Sequence, residues 1–262
     1  MADFLSAVPT WLIGLLIVGV SVGGSLVALA LLRRVIPRER LKPHHDVAGA
    51  LINVQGVAYA VLLAFIAIAV WERFDAAGDA AQQEASELVA LYRDVGVFPE
   101  PLRDNVRTGI ESYAQTVRNQ EWPAMAHGEG SAAAEEEFQA IWVAIRAFKP
   151  TTAHEEVWYG KVIDRLNEVS VARFQRIDQA GSGLPSVLWV MIVAGGLLLI
   201  VGVFLFGVES ALVHSTLVVT VCGTIAFIVF LVLVLDYPFT GDVSVSPEAF
   251  DLLLKEIQQF RG

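Results

Sequence analysis

Residues 47–97 read VAGALINVQGVAYAVLLAFIAIAVWERFDAAGDAAQQEASELVALYRDVGV, and this stretch decides the fold. Its first part, Val47–Trp71, is almost wholly apolar, and a helix that spans a bilayer needs about 20 such residues. Apolar residues then recur at steps of three and four from Phe74 to Val95, which is the helical period. The stretch therefore predicts one long helix that begins as a membrane span and continues beyond it.

Three further apolar runs have the length of a membrane span, namely Trp11–Leu32, Val187–Val208 and Leu212–Leu235. The chain of 262 residues is 55% hydrophobic, more than the roughly 45–50% of soluble domains. Only helices and closed barrels satisfy their backbone groups in lipid, and continuous apolar runs exclude the barrel. No strand-like alternation is seen, so we predict an all-α, multi-pass protein of the cell inner membrane or plasma membrane with four transmembrane helices.

These runs divide the chain into four parts. Residues 1–71 hold the first two spans and a basic connecting loop, and 72–186 form a helical extramembrane domain between the second and third spans. Residues 187–236 hold the last two spans, and 237–262 form a Pro/Gly turn and an amphipathic helix. Within 72–186 we predict three further helices, along the apolar stripes of 102–117, 138–148 and 152–181.

One short loop predicts the orientation of the protein. Residues 33–42 carry five positive charges and lie between the first two spans; the charges are Arg33, Arg34, Arg38, Arg40 and Lys42. The positive-inside rule places such a loop in the cytoplasm, which puts both termini and the middle domain on the outer side.

The charges and motifs disfavour several functions. The net charge is −10, and residues 72–186 hold 19 acidic and 11 basic side chains, a balance that disfavours nucleic acid as a partner. The sequence lacks the motifs of nucleotide-binding loops, zinc proteases and serine hydrolases. We therefore expect no enzyme activity, no metal and no cofactor. The apolar spans make the lipid bilayer the certain partner.

The second span is the candidate pore helix. Gly49, Asn53, Gly56, Ala60, Ala64 and Ala67 form a small-residue face that favours close helix packing in lipid. The continuation of this helix beyond the bilayer, with its alanine-rich seam, predicts a homo-oligomer. Polar Asn53 and Gln55 either bond between helices or line a vestibule. Apolar constrictions gate some channels by dewetting. The full set of pore-lining candidates is Asn53, Gln55, Val57, Val61, Phe65 and Ile68.

The fourth span ends on LDYPFTGDVSVSPEAF, residues 235–250. Pro238 lacks an N–H and restricts the residue before it, so the helix must stop here. A turn and a final amphipathic helix follow. The residues that define this helix stop are Asp236, Pro238, Phe239, Gly241 and Asp242.

This stretch, together with YAVLLAFIAIAVWERF (59–74), EASELVALYRDVGVFPEPLRD (84–104), EWPAM (121–125) and GLPSVLWV (183–190), resembles the bacterial bestrophin-like membrane family. Bestrophins are pentameric anion channels with four membrane helices, and their second helix lines an apolar neck. The resemblance implies a pentamer and places the helical insert in the cytoplasm, whereas the five basic charges place it outside. No acidic calcium-binding clasp is visible.

Two hypotheses follow. The chain is either an oligomeric channel that conducts small anions through a pore lined by the second span, or a non-conducting membrane protein whose acidic helical domain binds a protein partner.

Overall fold

The computed structural model describes residues 8–35, 45–206, 208 and 210–261, and all regular structure within these ranges is helical. The helices are α1 (Thr10–Val35), α2 (His45–Asp94), α3 (Leu102–Thr116), α4 (Trp122–Met125), α5 (Ala132–Ala147), α6 (Ala153–Gly181), α7 (Ser186–Phe204), α8 (Ala211–Leu235) and α9 (Glu248–Arg261). A 3₁₀ turn, Val95–Val97, follows α2, and a π-helical turn, Val117–Glu121, joins α3 to α4. The all-α prediction is confirmed.

Among the described residues, four helical stretches are long and apolar enough to cross a membrane, and they lie in Thr10–Val35, Gly49–Val97, Ala153–Phe204 and Ala211–Leu235. Each stretch contains all or most of one of the four predicted apolar runs, so the prediction of four candidate spans in a multi-pass membrane protein is confirmed. Three of the five basic loop residues, Arg38, Arg40 and Lys42, lie outside the described residues.

The chain divides into two compact units. One comprises Ala7–Glu72 and Leu184–Asp236 and is called the apolar unit here. The other contains Arg73–Gly183 and Tyr237–Gly262 and is called the polar unit. We predicted the C-terminal segment 237–262 as a separate part of the chain. In the structure it packs with the residues that follow the second span.

Glycines allow close packing in the apolar unit. A Cβ at Gly195 would lie 2.6 Å from the Tyr59 ring, so the ring can sit there only because α7 has no side chain at that position. The Tyr59 hydroxyl donates a hydrogen bond of 2.7 Å to the Ile192 carbonyl, which satisfies it within the span. Gly14 of α1 lies in the same way against the Phe230 ring of α8. These contacts join α2 to α7 and α1 to α8.

The polar unit is built around an aromatic and aliphatic core. The second half of α2 supplies Leu88 and Tyr92, and α9 adds Phe250 and Leu253 to the same core. The start of α6 is capped. Thr152 accepts a hydrogen bond from the Glu155 N–H, and the Glu155 carboxylate accepts one from the Thr152 N–H, which together form a capping box.

The three helices predicted within residues 102–181 are confirmed as α3, α5 and α6. The final amphipathic helix is confirmed as α9. The π-helical turn was not expected, because the sequence reading ended the first of these helices near residue 121. In the structure the chain stays helical through Glu121 and into α4, whose first turn contains Pro123.

Candidate functional site

One face of α2 in the apolar unit is exposed and apolar. Val57, Val61, Phe65 and Ile68 are 66%, 50%, 69% and 54% exposed, and they follow one another at steps of four and three. Asn53, four residues before Val57, is exposed as well. The structure therefore brings five of the six pore-lining candidates onto one surface of this unit.

The opposite face of α2 is buried, with Tyr59, Leu63 and Val70 at its centre. Gln55 lies on this side, since its amide oxygen would be 3.9 Å from a Cβ added at Gly202 of α7. At 100° per residue Gln55 is about 160° away from Val57 around the helix. The two polar residues of the span thus point in different directions, and only Asn53 shares a face with the apolar candidates.

Asp236 joins the end of α8 to the start of α7. Its side chain is buried, and Oδ1 accepts a hydrogen bond of 2.7 Å from the backbone N–H of Leu184. Leu184 precedes Pro185, the N-cap residue of α7. The carboxylate supplies this partly buried N–H with a charged acceptor. The carboxylate that ends the last span is therefore a structural tie between two helix ends.

The rest of the helix-stop motif packs into the polar unit. Phe239 is buried, with its ring centroid 5.5 Å from that of Trp122. The Pro238 carbonyl accepts a 2.7 Å hydrogen bond from the Val245 N–H, and the Val245 carbonyl accepts a 3.1 Å bond from the Trp122 indole. These contacts fold residues 237–247 into a compact loop that is fixed by Trp122.

Glycine is required at one position of this loop. Gly241 has φ near +80°, where a side chain is strained, which explains why the turn carries Gly here. The neighbouring Thr240 donates a hydrogen bond of 2.8 Å to the Ala126 carbonyl, while Asp242 is exposed.

The structure reveals a buried ion cluster that sequence reasoning missed. Arg176 of α6 is fully buried and bonds to Glu84 of α2 through Nε (2.7 Å) and Nη2 (3.2 Å), and to Glu121 through Nη2 (2.7 Å). Arg173 donates to Glu121 at 2.7 Å and to the Tyr113 hydroxyl at 3.0 Å. The Tyr113 hydroxyl in turn donates to Glu84. The two buried arginines and two buried glutamates balance in charge, and the exposed Glu135 lies 3.3 Å from Arg173.

Aromatic rings and backbone groups complete the cluster. The guanidinium of Arg176 lies 5.5 Å from the Trp122 ring centroid and 5.4 Å from that of Phe250, a favourable position for a cation. The second oxygen of Glu121 accepts from the Ser131 N–H at 3.1 Å. The π-helical turn ends at Glu121 and directs its carboxylate inward, which fits the frequent occurrence of such turns at special sites.

The electrostatics follow from this geometry. Burial alone raises the pKa of Glu121, but Arg176 and Arg173 outweigh it and hold the pKa below its ordinary value. Burial, reinforced by the Glu84 carboxylate, raises the pKa of the Tyr113 hydroxyl well above its ordinary value. Burial also acts to lower the pKa of Arg176, but the neighbouring acidic groups raise it overall. At neutral pH Glu121 and Arg176 are therefore charged, while the Tyr113 hydroxyl keeps its proton.

The sequence contains a signal for this cluster. Glu84 lies seven residues after Ala77 and four before Leu88, on the apolar stripe of α2, and Arg173 and Arg176 continue the stripe of α6 after Val169. A charged residue at a position of an apolar stripe is rarely buried without a partner. Two such interruptions of opposite charge could have indicated a buried ion pair.

The comparisons with known proteins agree with this fold. A crystal structure of a bacterial bestrophin homologue from Klebsiella pneumoniae matches with a TM-score of 0.66 at 14% identity, covering 90% of this chain and 96% of that chain. Two crystal structures of point mutants of that homologue match with TM-scores of 0.69 and 0.72 at 13% and 15% identity, covering 92% and 95% of this chain and 99% and 98% of theirs. No curated protein matches the chain.

The fold of the chain is thus the bestrophin fold. The Bestrophin-like domain family matches residues 19–250, which is most of the chain and includes α2, the ion cluster and the helix-stop motif. The earlier resemblance is confirmed, and this protein belongs to the Bestrophin-like domain family.

Proposed function

We propose that the protein is an oligomeric membrane ion channel and that the exposed face of α2 lines its pore. The observation that carries the proposal is the row formed by Asn53, Val57, Val61, Phe65 and Ile68 on one side of a membrane-span helix. An exposed amide is costly in lipid, because hydrocarbon offers it no hydrogen-bond partner. Facing water in a central lumen, Asn53 keeps its hydration.

The apolar part of this row suits a gate. A ring of Val61, Phe65 and Ile68 side chains, one set from each subunit, would narrow the lumen with groups that water wets poorly. Such a constriction closes by losing water and opens after small shifts of its helices. The proposal therefore requires several copies of the chain around one axis. The pentamer comes from the bestrophin analogy.

Small anions are the ions that we propose, because bestrophins are known as an anion channel family. One residue opposes this choice. Glu72 is exposed one turn after Ile68 on the same face of α2, and carboxylates beside a pore favour cations. The charge of the permeant ion therefore has to be determined separately from the position of the pore. A measurement of the reversal potential determines it.

The orientation proposed with this channel follows the basic loop. Arg33 and Arg34 end α1, and the positive-inside rule puts this end in the cytoplasm. The helical extramembrane domain, which we infer to be the insert between the second and third spans, then lies outside. This is opposite to the arrangement that the bestrophin resemblance implies. Protease digestion of sealed vesicles separates the two orientations.

The test of the pore is electrical. We expect purified protein in planar bilayers to carry a current whose reversal potential follows the chloride gradient. Val61→Ala, Phe65→Ala and Ile68→Ala widen the constriction and should raise the conductance. Leu198→Ala is the matched control, since Leu198 is 62% exposed on α7 of the same unit and does not belong to this row.

The outcomes are distinct. Unchanged currents in all three pore variants would exclude α2 as the pore-lining helix. A reversal potential that follows potassium would keep the pore and overturn the anion assignment. A silent bilayer that contains correctly folded oligomer would overturn the channel itself.

A second candidate function rests on a different surface. Val171 and Phe174 of α6 are 55% and 71% exposed in the polar unit, and their spacing of three residues makes them neighbours on one helix face. Exposed apolar groups that lie side by side are typical of protein-binding surfaces. They favour the alternative that the acidic helical domain binds a protein partner. If the bilayer recordings show no current, this alternative becomes the preferred function.

A further inference from the structure

A polar cleft with a volume of about 540 Å³ opens on the surface of the polar unit. One side is formed by α3 and the π-helical turn that follows it, and the other side by α9. The lining holds six polar side chains, namely Gln115, Arg118, Asn119, Asp251, Lys255 and Gln258. The volume falls within the roughly 300–1,000 Å³ that is usual for binding sites of small molecules.

Each side of the cleft is one face of a helical segment. The polar side chains of the first side lie three and four residues after Gln115, and those of α9 lie four and seven residues after Asp251, steps that keep residues on one face. The apolar face of α9 is a different one, and its buried side chains in the core of the polar unit are Phe250, Leu253 and Ile257. The polar side chains of the cleft are therefore ones that the core does not use.

The cleft contains two cations and one carboxylate. Arg118 pairs through Nε with Oδ1 of Asp251 at 2.5 Å, and its side chain remains 47% exposed. Within the described residues, the Nη groups of Arg118 donate no hydrogen bond, and the exposed Lys255 forms no ion pair. The cleft thus has an excess of positive charge and unused donors, although the net charge of the chain is −10.

The carboxamide groups of the cleft are unused as well. In the part of the chain that the structure describes, the side chains of Gln115, Asn119 and Gln258 form no hydrogen bond. Each carboxamide offers N–H donors and a carbonyl acceptor, a combination that matches a hydroxyl group. The lining therefore combines charge for an anion with neutral donors and acceptors for hydroxyl groups.

The backbone supplies an independent observation. Arg118 and Asn119 lie in the π-helical turn Val117–Glu121, and such turns occur frequently at functional sites. The buried ion cluster accounts for the end of this turn, because Glu121 is bonded to Arg176 there. The exposed part of the turn faces the cleft instead.

We propose that this cleft binds a soluble phosphorylated polyol, such as a sugar phosphate. A phosphate monoester carries about 1.5 to 2 negative charges at neutral pH, which suits two cations. The Nη groups of Arg118 match two phosphate oxygens, and Lys255 adds a point charge. Asp251 holds the guanidinium through Nε, so that its Nη groups stay available.

The rest of the ligand follows from the rest of the lining. The three carboxamides bind the hydroxyl groups of the polyol, and Leu254 adds one apolar contact. The phosphodiester of a membrane lipid carries a single charge and fits two cations less well. The proposal goes beyond the proposed channel and does not require conduction.

The test is isothermal titration calorimetry of the detergent-purified full chain. The probes are glycerol 3-phosphate, ribose 5-phosphate and glucose 6-phosphate, with inorganic phosphate and glucose for comparison. We expect at least one phosphorylated polyol to bind saturably at one site per chain. Its affinity should exceed that of inorganic phosphate and of glucose by at least about tenfold, since each of these lacks one set of hydrogen bonds.

Two substitutions locate the ligand in the cleft. Arg118→Gln and Lys255→Gln should each weaken binding by at least about tenfold, because each removes a charged hydrogen-bond donor. Arg103→Gln is the matched control for the arginine, since Arg103 is also a partly exposed partner of a carboxylate and lies outside the lining. Lys149→Gln is the control for the exposed lysine. Both controls should bind like the unsubstituted protein.

The carboxamides have a separate test. Gln115→Ala should weaken the binding of the phosphorylated polyol several-fold and leave the affinity for inorganic phosphate unchanged, because only the polyol offers hydroxyl groups. An equal loss for both probes would overturn the assignment of the hydroxyl groups to this side of the cleft.

Other outcomes would overturn the proposal as a whole. The absence of saturable binding for all three phosphorylated polyols does so without any substitution. Unchanged affinity in both Arg118→Gln and Lys255→Gln would place the ligand outside the cleft. Displacement of the bound sugar phosphate by phosphatidylglycerol in mixed micelles would overturn the soluble ligand and assign the cleft to a lipid headgroup.

Discussion

Arg176→Met is the perturbation that tests the buried ion cluster most severely. Methionine retains much of the length of the arginine side chain but removes the charge that faces Glu84 and Glu121, both fully buried. Glu121 retains Arg173 at 2.7 Å, whereas Glu84 is left with the Tyr113 hydroxyl as its remaining hydrogen-bond partner. A buried carboxylate is thereby left without a balancing charge.

The magnitude follows from that loss. Removing one partner of a buried ion pair costs about 3–5 kcal/mol of unfolding free energy. For a unit of this size that corresponds to a decrease in Tm of roughly 10 °C. Glu84→Gln added to Arg176→Met removes the unbalanced charge and should recover about half of the loss, because a neutral amide costs much less to bury than a carboxylate.

The assay is thermal unfolding of the full chain in detergent. Unfolding is monitored as the loss of monodisperse oligomer after heating. Arg165→Met is the matched control. Arg165 is 36% exposed in its side chain and pairs with Glu87 at 2.7 Å, Glu168 at 3.5 Å and Asp94 at 3.8 Å. Because this side chain is partly exposed, each such pair contributes only about 0–1 kcal/mol. Equal Tm values for Arg176→Met and Arg165→Met would refute the reasoning, since burial would then have no effect on the cost.

Three further predictions concern stability. Glu121 has a lowered pKa, so its contribution to the free energy of unfolding is complete above the ordinary pKa of 4.5 and is lost as the pH falls through the folded pKa. Thermal unfolding at a series of pH values should therefore show a Tm that decreases below about pH 4.5. Asp236→Ala leaves the partly buried Leu184 N–H without this acceptor and should cost about 1–3 kcal/mol, whereas Asp236→Asn retains an acceptor oxygen and should cost less. Equal Tm losses would contradict this account. Thr152→Ala removes the cap from the Glu155 N–H and should cost about 1 kcal/mol, with hydrogen exchange faster only in the first turn of α6.

Much of this fold could be predicted from the sequence, because lipid and water impose simple patterns on helices. The four apolar runs, the continuation of α2 beyond its span and the cap at Thr152 all depend on local spacing and residue type. Pro238 likewise places the end of α8 within a few residues, and the helix ends at Leu235.

The ion cluster could not be predicted in the same way, because it depends on which helices pack together. Glu84 and Arg176 are 92 residues apart, and only the fold brings α2 and α6 together. The inward direction of Glu121 depends on the π-helical turn, for which helix periodicity gives no signal. Gln55 illustrates the same limit, because its polarity suggested a lumen position, whereas its side chain lies on the side of α2 that packs against α7.

The central claim is that the exposed face of α2 lines a water-filled pore. Phe65→Cys puts a thiol on that face, and the native Cys222 is buried and should not react. A charged, water-soluble methanethiosulfonate reagent added during a bilayer recording should reach the new thiol and change the current. The same reagent should leave the current of the Leu198→Cys variant unchanged. Complete labelling of Phe65→Cys with an unchanged current would contradict the claim.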